Sequence, residues 1–185
     1  MGLHTTDLWV APTSQTRIIR LMIHIREATA LDWPGIWSIF HAVVARGDTY
    51  AYAPETSEDE AKHIWMELAK ATYVAVDGDE VVGTYYIKTN QTGQGSHVCN
   101  AGFMVREDQR GRGLGRLMGE HALDAARELG YHAMQFNFVV ASNCGAIKLW
   151  EALGFETIGR LPEAFKGADG YQDALVMYQV LGGRS

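Results

Sequence analysis

The stretch Gln109-Arg110-Gly111-Arg112-Gly113-Leu114-Gly115 decides the fold, because it joins a strand-like run to the start of an amphipathic helix. The start of a helix exposes unpaired backbone N–H groups and a partial positive charge, so a loop of successive amides at that place binds phosphate oxygens well. Glycine reaches positive φ without a Cβ clash and lets the backbone approach an anion closely. The stretch therefore predicts a pyrophosphate site, to which Arg110, Arg112 and Arg116 add positive charge.

Regular patterns continue on both sides of this stretch. Val98–Val105 precedes it as a β-rich run, and apolar residues recur at helical spacing from Leu114 to Leu129, where Gly130 ends the helix. Further on, the patterns predict a strand over 134–140, a helix over 143–153 capped by Asn143, and strands over 155–161 and 172–181.

The part of the chain before the glycines is equally patterned. A strand over 23–27 leads to a helix that Asp32 caps and Gly47 ends, and an aromatic loop, Asp48–Pro54, leads to a second helix capped by Thr56 or Ser57. Strands over 72–76 and 80–88 flank a hairpin turn at Gly78. The order β-α-α-β-β-β-α-β-α-β-β predicts one α/β (α+β) domain over residues 23–181.

Composition limits the classes of partner. The chain has 185 residues, 47% of them hydrophobic, and a net charge of -6, so broad attraction to nucleic acid or anionic lipid is not expected. No apolar run approaches the roughly 20 residues that cross a bilayer. Two cysteines without metal-ligand spacing indicate a reducing compartment, and we expect a cytoplasmic protein without a metal. Residues 1–22 are interpreted as an N-terminal extension that is flexible, comes from an upstream start codon or cloning, or contacts a dimer partner.

Two nucleotide-binding motifs do not fit. No Gly-Lys-Ser/Thr sequence closes a Walker loop, and no acidic residue ends a suitably placed following strand as a dinucleotide fold requires. An Arg-Gly-rich sequence binds RNA in disordered tails, but this one lies between two periodic elements of an acidic protein.

Two motifs follow one another along the chain in the order of a known family. The pattern Arg/Gln-x-x-Gly-x-Gly/Ala matches residues 110–115, and the pattern Asn-x-x-Ala-x-x-Leu-Tyr-x-x-x-Gly-Phe matches Asn143 to Phe155 (NCGAIKLWEALGF). In both motifs, the chain resembles the GCN5-related N-acetyltransferase (GNAT) family. The resemblance implies a mixed, mostly antiparallel sheet of about seven strands flanked by about four helices. It also implies that strands four and five splay apart around the pantetheine arm of acetyl-CoA.

The resemblance assigns cofactor contacts by position. It places the pyrophosphate on the glycine loop and the pantetheine arm against strand four, and Asn143, which is also a good helix N-cap, beside the cofactor. The residues expected to bind acetyl-CoA are Phe103, Met104, Val105, Arg110, Gly111, Arg112, Gly113, Leu114, Gly115, Arg116, Asn143 and Lys148.

The chain departs from the family at the catalytic positions. Trp150 stands where many relatives have a tyrosine that protonates the leaving thiolate, and an indole N–H is no useful acid. Strand four carries no carboxylate, so His97 is the nearest candidate for the base that deprotonates the amine, although it could simply be exposed. Alternatively, water could take the proton from the amine and protonate the leaving thiolate.

Asn100 and Asn137 are the remaining catalytic candidates, since a mid-strand asparagine is disfavoured and needs partners when buried. They could orient the substrate or donate to the thioester oxygen, a role worth about 3 kcal/mol per donor; alternatively they bond neighbouring backbone. Cys144 lacks an adjacent histidine for covalent catalysis, Cys99 is expected in the core, and His121 on an apolar helix face is expected to be hydrogen-bonded there.

The predicted function is acetyl transfer to a small-molecule amine. The Asp48–Thr56 loop resembles the substrate loop of amino-acid and phosphinothricin-type acetyltransferases, and the asparagine pattern resembles fungal enzymes acting on azetidine-2-carboxylate. Tyr50 and Tyr52, with Asn100 and Asn137, are the expected substrate-binding residues. Protein N-terminal or lysine acetylation and a non-catalytic coenzyme A module are the alternatives, and a homodimer fits the resemblance.

Overall fold

Seven strands and four α-helices form along residues 23–182, the part of the chain that this computed structural model describes. In chain order they are β1 (Ile23–Glu27), α1 (Trp33–Ala45), α2 (Glu58–Lys62), β2 (Ala71–Asp77), β3 (Glu80–Thr89), β4 (Val98–Val105), α3 (Leu114–Glu128), β5 (Ala133–Val140), α4 (Cys144–Ala152), β6 (Glu156–Gly167) and β7 (Gly170–Val180). The extension predicted over residues 1–22 lies outside the described residues.

The strands form one sheet in the order β1-β2-β3-β4-β5-β7-β6. Every neighbouring pair is antiparallel except β4 and β5, which run parallel. The parallel pair is brief, because only Val98 with Ala133 and Cys99 with Met134 are in register before the strands part. A mixed sheet that splays at this place confirms the predicted fold.

Two helical layers cover the sheet. Helices α1 and α2 pack on one face, where Ile36, Phe40 and Trp65 are fully buried. Helices α3 and α4 pack on the other face, where Met118 and Trp150 join the core. No helix in the described part of the chain is long and apolar enough to cross a bilayer.

The expected cap of α1 is replaced by an ion pair. Asp32 makes no side-chain cap to α1, contrary to the sequence prediction. Its carboxylate instead accepts two hydrogen bonds from Arg26 of β1, at 2.8 and 2.7 Å, and one from the backbone N–H of Thr29 at 2.7 Å. The Arg26 guanidinium holds the pKa of this carboxyl well below its usual range. Asp32 thereby fastens the turn before α1 to the edge strand.

Two other helix caps agree with the predictions made from the sequence. The Ser57 hydroxyl accepts from the Glu60 N–H at 3.3 Å, which selects Ser57 over Thr56 as the cap of α2. The Asn143 side chain accepts from the Ala146 N–H at 3.2 Å, so the predicted cap of α4 is confirmed.

The last hairpin is longer than predicted. We expected strand six to stop at Leu161, before Pro162, but β6 continues to Gly167. A register shift between Leu161 and Phe165 absorbs the proline, and Glu163 adopts a φ of 52° there. The backbone N–H of Glu163 donates to Asp173 of β7 at 2.9 Å, which holds the bulge against the neighbouring strand.

Candidate active site

The central feature of the site is a wedge, the gap that opens between residues 100–105 of β4 and residues 135–140 of β5. The Asn90 N–H donates to the Val98 carbonyl and the Arg106 N–H donates to the Val82 carbonyl, so even-numbered residues of β4 direct their backbone groups toward β3. The odd-numbered residues Ala101, Phe103 and Val105 therefore direct theirs toward the wedge. An extended chain bearing amides could add to this strand edge by main-chain hydrogen bonds.

The glycine loop, residues 110–115, lies at the mouth of the wedge. Gly111 and Gly113 have φ of 72° and 87°, and Gly113 is the N-cap residue of α3. A Cβ on either glycine would meet nothing within 4 Å, so the space beside the loop is open. Gly115 has another reason to be glycine, since a Cβ there would come within 3.2 Å of the Leu149 side chain. It permits close packing of α3 on α4.

A cavity of about 720 Å³ joins the glycine loop, the wedge and the aromatic loop. Backbone amides at a helix start occupy one end and the β4 edge runs along the middle, an arrangement that fits the pyrophosphate and pantetheine arm of acetyl-CoA. The lining includes every glycine-loop residue except Arg112, together with Phe103, Met104, Val105, Arg116 and Asn143.

Two predicted cofactor residues do not line this cavity. The Arg112 guanidinium donates to the Gln109 side chain, which turns it back onto its own loop. Lys148 is exposed on α4. Arg110 and Arg116 do line the cavity, but each lies beside a carboxylate, Arg110 at 3.4 Å from Glu107 and Arg116 at 3.0 Å from Glu120. The backbone of the loop is therefore the main group that the structure presents to an anion.

The other end of the cavity brings together the expected substrate residues Asn100, Asn137, Tyr50 and Tyr52. Asn100 is buried, at 7% exposure. The Asn137 side chain is exposed to the cavity, donates to the Asn90 side-chain oxygen at 2.7 Å, and accepts from Gln135 at 2.8 Å. The two amides thus stand on β4 and β5, one on each side of the wedge.

The aromatic loop forms one wall of this end of the cavity. Tyr50 and Tyr52 stack with ring centroids 5.6 Å apart, and Tyr52 also stacks on Phe40 of α1. The Tyr50 hydroxyl donates to the Phe103 carbonyl at 2.8 Å, which fastens the loop to the wedge edge of β4. Burial raises the pKa of Tyr50 far above its ordinary value, so this hydroxyl stays protonated.

Tyr86 and Gly102 also line the cavity, and sequence reasoning missed both. Tyr86 lies in a β-rich run, where the sequence does not distinguish it from an ordinary core residue. A glycine inside a strand indicates a close approach by another group, and this is the signal that could have found the pair.

Four other candidates lie elsewhere. His97 is exposed before β4 and does not line the cavity, so the geometry does not support it as the base. Cys144 is exposed and also lies outside the lining, whereas Cys99 is buried in the core, where burial raises the pKa of its thiol to about 12. The His121 ring bonds the Tyr85 hydroxyl at 2.6 Å on the opposite face of the sheet.

Trp150 fills the position of the family tyrosine. It is 7% exposed and its ring centroid lies 4.8 Å from that of Phe103 and 4.7 Å from that of Phe136. These three rings close the α4 side of the wedge with apolar surface, which excludes water from an arm lying between the strands.

We therefore expect Trp150 to act by packing. Trp150→Phe should keep most of the turnover, while Trp150→Ala should lower the free energy of unfolding by about 3 kcal/mol because it leaves a cavity. Trp150→Tyr restores the hydroxyl of the relatives and serves as the matched variant. Steady-state kinetics and thermal melting check the three proteins. Turnover that collapses in the phenylalanine variant and recovers in the tyrosine variant, with equal melting, would show that a hydrogen-bond donor is needed at this position and would contradict the packing role.

Comparisons with known proteins agree with this geometry. The model of the acetyltransferase (GNAT) family matches residues 33–155. N-acetyltransferase aca1 of Schizosaccharomyces pombe is 30% identical over 151 residues, which cover 72% of this chain and 72% of that protein. L-methionine sulfoximine/L-methionine sulfone acetyltransferase of Pseudomonas aeruginosa is 34% identical over 146 residues, which cover 75% of this chain and 83% of that protein. The solved structure of a GCN5-related N-acetyltransferase from Kribbella flavida has a TM-score of 0.82 at 41% identity, covering 87% of this chain and 99% of that one.

Proposed function

This chain belongs to the acetyltransferase (GNAT) family and is an N-acetyltransferase that uses acetyl-CoA, and we propose that its acceptor is the amine of a small molecule, a free or cyclic amino acid. The observation that carries the proposal is the end of the cavity that we call the acceptor end, where Asn100 of β4 and Asn137 of β5 line the same space as Tyr50 and Tyr52 of the aromatic loop. A protein N terminus or a lysine side chain needs an open groove at this place instead.

In this proposal one part of the cavity binds the acetyl donor and the other part binds the acceptor amine. In direct transfer, the amine nitrogen bonds to the thioester carbonyl carbon and the carbon–sulfur bond breaks, its electron pair leaving with the coenzyme A thiolate. Water takes the proton lost by the amine and supplies the proton that the thiolate gains. The glycine loop and the β4 edge bind and orient the acetyl donor, and Phe103, Phe136 and Trp150 keep water from it. The asparagine amides orient the acceptor and offer N–H groups to the oxygen on which charge develops.

A relative supplies independent support for an amino-acid acceptor. The Pseudomonas aeruginosa protein is named for acetylating methionine sulfoximine and methionine sulfone, which are small amino-acid derivatives. The alignment with it covers most of both chains, and the acceptor end of the cavity lies within residues 33–155 matched by the family model.

An amino-acid acceptor brings a carboxylate, which needs a cationic partner. Arg46, Lys88 and Lys166 are the candidates, and their surroundings differ. Arg46 is already paired with Asp48 at 3.3 Å and with Glu107 at 2.5 Å, so its charge is largely compensated.

The two lysines differ in their distance from the acceptor end, although neither is among the lining residues of the cavity. Lys166 lies in the last hairpin, opposite Tyr171. Lys88 lies opposite Asn100 in the β3–β4 register, with its ammonium 5.3 Å from the centre of the Tyr86 ring, and both of these neighbours line the cavity. Lys88 is therefore the favoured carboxylate partner.

The Lys88 assignment predicts a change in KM that depends on the acceptor. Lys88→Met should raise the KM for azetidine-2-carboxylate about tenfold, equivalent to ~1.4 kcal/mol, and leave kcat nearly unchanged because the ion pair forms in ground and transition states alike. Azetidine itself, which has no carboxylate, is the matched acceptor and should be used equally by both proteins.

Thiol release from acetyl-CoA measures both acceptors, and Lys166→Met is the control variant, for which no change is expected. An equal effect of Lys88→Met on the two acceptors would remove Lys88 from carboxylate recognition. A wild-type enzyme that prefers azetidine to its 2-carboxylate would contradict the amino-acid proposal itself.

A further inference from the structure

Both polar ends of the Asn100 side chain are engaged by neighbouring groups. Its Oδ1 accepts from the Tyr86 hydroxyl at 3.3 Å, and its Nδ2 donates to the backbone carbonyl of Gln135 at 2.9 Å. Asn100 follows Cys99, the last residue of β4 in register with β5. Its side chain therefore continues the link between the two strands by one step, at the point where the wedge begins.

Tyr86 can reach Asn100 because residue 102 is a glycine. An ideal Cβ on Gly102 would stand 2.6 Å from Cε1 of the Tyr86 ring, a distance that real Cβ atoms do not show. Tyr86 is 5% exposed, and its ring meets the Trp65 ring edge-on with centroids 4.8 Å apart. The tyrosine is thus confined between Trp65 and β4, and its hydroxyl is fixed relative to the wedge.

We propose that Tyr86 is a positioning residue for acetyl transfer, which fixes the Asn100 amide at the start of the wedge, and that Gly102 makes room for it. The inference rests on the proposed function. An asparagine side chain has two N–H donors and one carbonyl oxygen. With the oxygen accepting from Tyr86 and one N–H donating to Gln135, Asn100 retains one N–H, and Asn100 lines the cavity. Asn100 consequently serves as a donor to an oxygen of a ligand.

The Tyr86 hydroxyl does not itself exchange protons in this account. Burial raises the pKa of Tyr86 far above its ordinary value, so the hydroxyl remains protonated. It is placed to bond both the Asn100 side-chain oxygen and the Tyr52 hydroxyl. Tyr86 then acts through the orientation of Asn100, because without this donor only the bond from Nδ2 to the Gln135 carbonyl holds the amide.

Tyr86→Phe tests the proposal, because it keeps the ring over Gly102 and removes only the hydroxyl. We expect kcat to fall about tenfold while the acceptor KM and the coenzyme A Kd stay within about twofold. Tyr85→Phe is the matched control: the neighbouring hydroxyl bonds His121 on the opposite face of the sheet, so its loss should leave kcat unchanged. Equal losses of kcat in the two variants would overturn the proposal.

A double-mutant cycle separates positioning from general packing. If Tyr86 acts through Asn100, then Tyr86→Phe should lower kcat little further in an Asn100→Ala protein. Additive losses would mean that the hydroxyl acts independently of Asn100, which contradicts the proposal. Gly102→Ala should reproduce the kinetic defect of Tyr86→Phe, because the new methyl group displaces the ring.

A measurement without turnover keeps this inference distinct from the proposed function. In nitrogen-15-labelled protein, the side-chain amide signals of Asn100 are identified by their loss in Asn100→Ala. Their hydrogens should exchange with solvent at least about tenfold faster in Tyr86→Phe than in the wild type or in Tyr85→Phe. Unchanged exchange overturns the positioning role even if an amino-acid acceptor is found. Faster exchange supports the role even if no amino acid is acetylated.

Discussion

Gly113→Asp is expected to abolish coenzyme A binding, with a loss of affinity of at least about 100-fold, or ~2.7 kcal/mol. Gly113 begins α3 with a φ of 87° and faces open space, where the pyrophosphate is proposed to lie. An aspartate fills this space and places a negative charge against the phosphates. Aspartate tolerates left-handed backbone better than most residues, so the fold should survive. Calorimetric titration with coenzyme A measures the loss.

The matched control lies at the other end of the same helix. Gly130 has a φ of 83° and open space around it, so Gly130→Asp imposes similar backbone strain and the same charge away from the cavity. Coenzyme A affinity should be unchanged in this variant. A folded Gly113→Asp protein that binds coenzyme A as tightly as the Gly130→Asp protein would place the cofactor elsewhere.

Asn137→Ala is expected to lower kcat/KM for the acceptor by about 100-fold, equivalent to ~2.7 kcal/mol of transition-state stabilisation. Its side chain reaches the acceptor end of the cavity from β5 and is held there by Asn90 and Gln135. The coenzyme A Kd should stay within about twofold, because the Asn137 amide serves the acceptor and the transition state rather than the cofactor. Steady-state kinetics and calorimetry on the same preparation give both numbers.

Gln135→Ala shows whether Asn137 acts directly. This variant removes one hydrogen bond that holds Asn137 but leaves the Asn137 amide in the cavity, so it should cost less than about tenfold. If the two variants lose activity equally, the hydrogen-bonded group as a whole is responsible. Unaltered kinetics in Asn137→Ala would remove this residue from the proposed site.

The sequence predicted the parts of the molecule that depend on local patterns. Strand β4 matches its predicted bounds, Val98–Val105, because turn signals flank an apolar run. The glycine loop and the Asn143 cap were predictable because helix starts select a few residue types. In contrast, the course of β6 past Pro162 depends on a bulge held by Asp173 of the next strand, which no local pattern records.

The acceptor end was only partly predictable for the same reason. Asn100 and Asn137 stood out because amides are disfavoured inside strands, but their partners come from distant parts of the chain. Tyr86 reaches Asn100 from the neighbouring strand, and Gln135 lies 35 residues away from Asn100 in the chain. His97 matched the chemistry of a base, yet the turn before β4 leaves it exposed and outside the cavity lining. Chemical type alone could not reveal this separation.

The central claim, acetyl transfer to a small amino-acid amine, is tested most directly by competition among acceptors. Purified enzyme and acetyl-CoA are incubated with an equimolar mixture of free amino acids, azetidine-2-carboxylate, proline, and peptides with free N termini or lysines, and mass spectrometry follows each acetylated product over time. The account predicts that one or a few free amino acids or cyclic amino acids acquire an acetyl group first, at rates that depend on Asn137. Acetylation of the peptides with none of the free amino acids would contradict it.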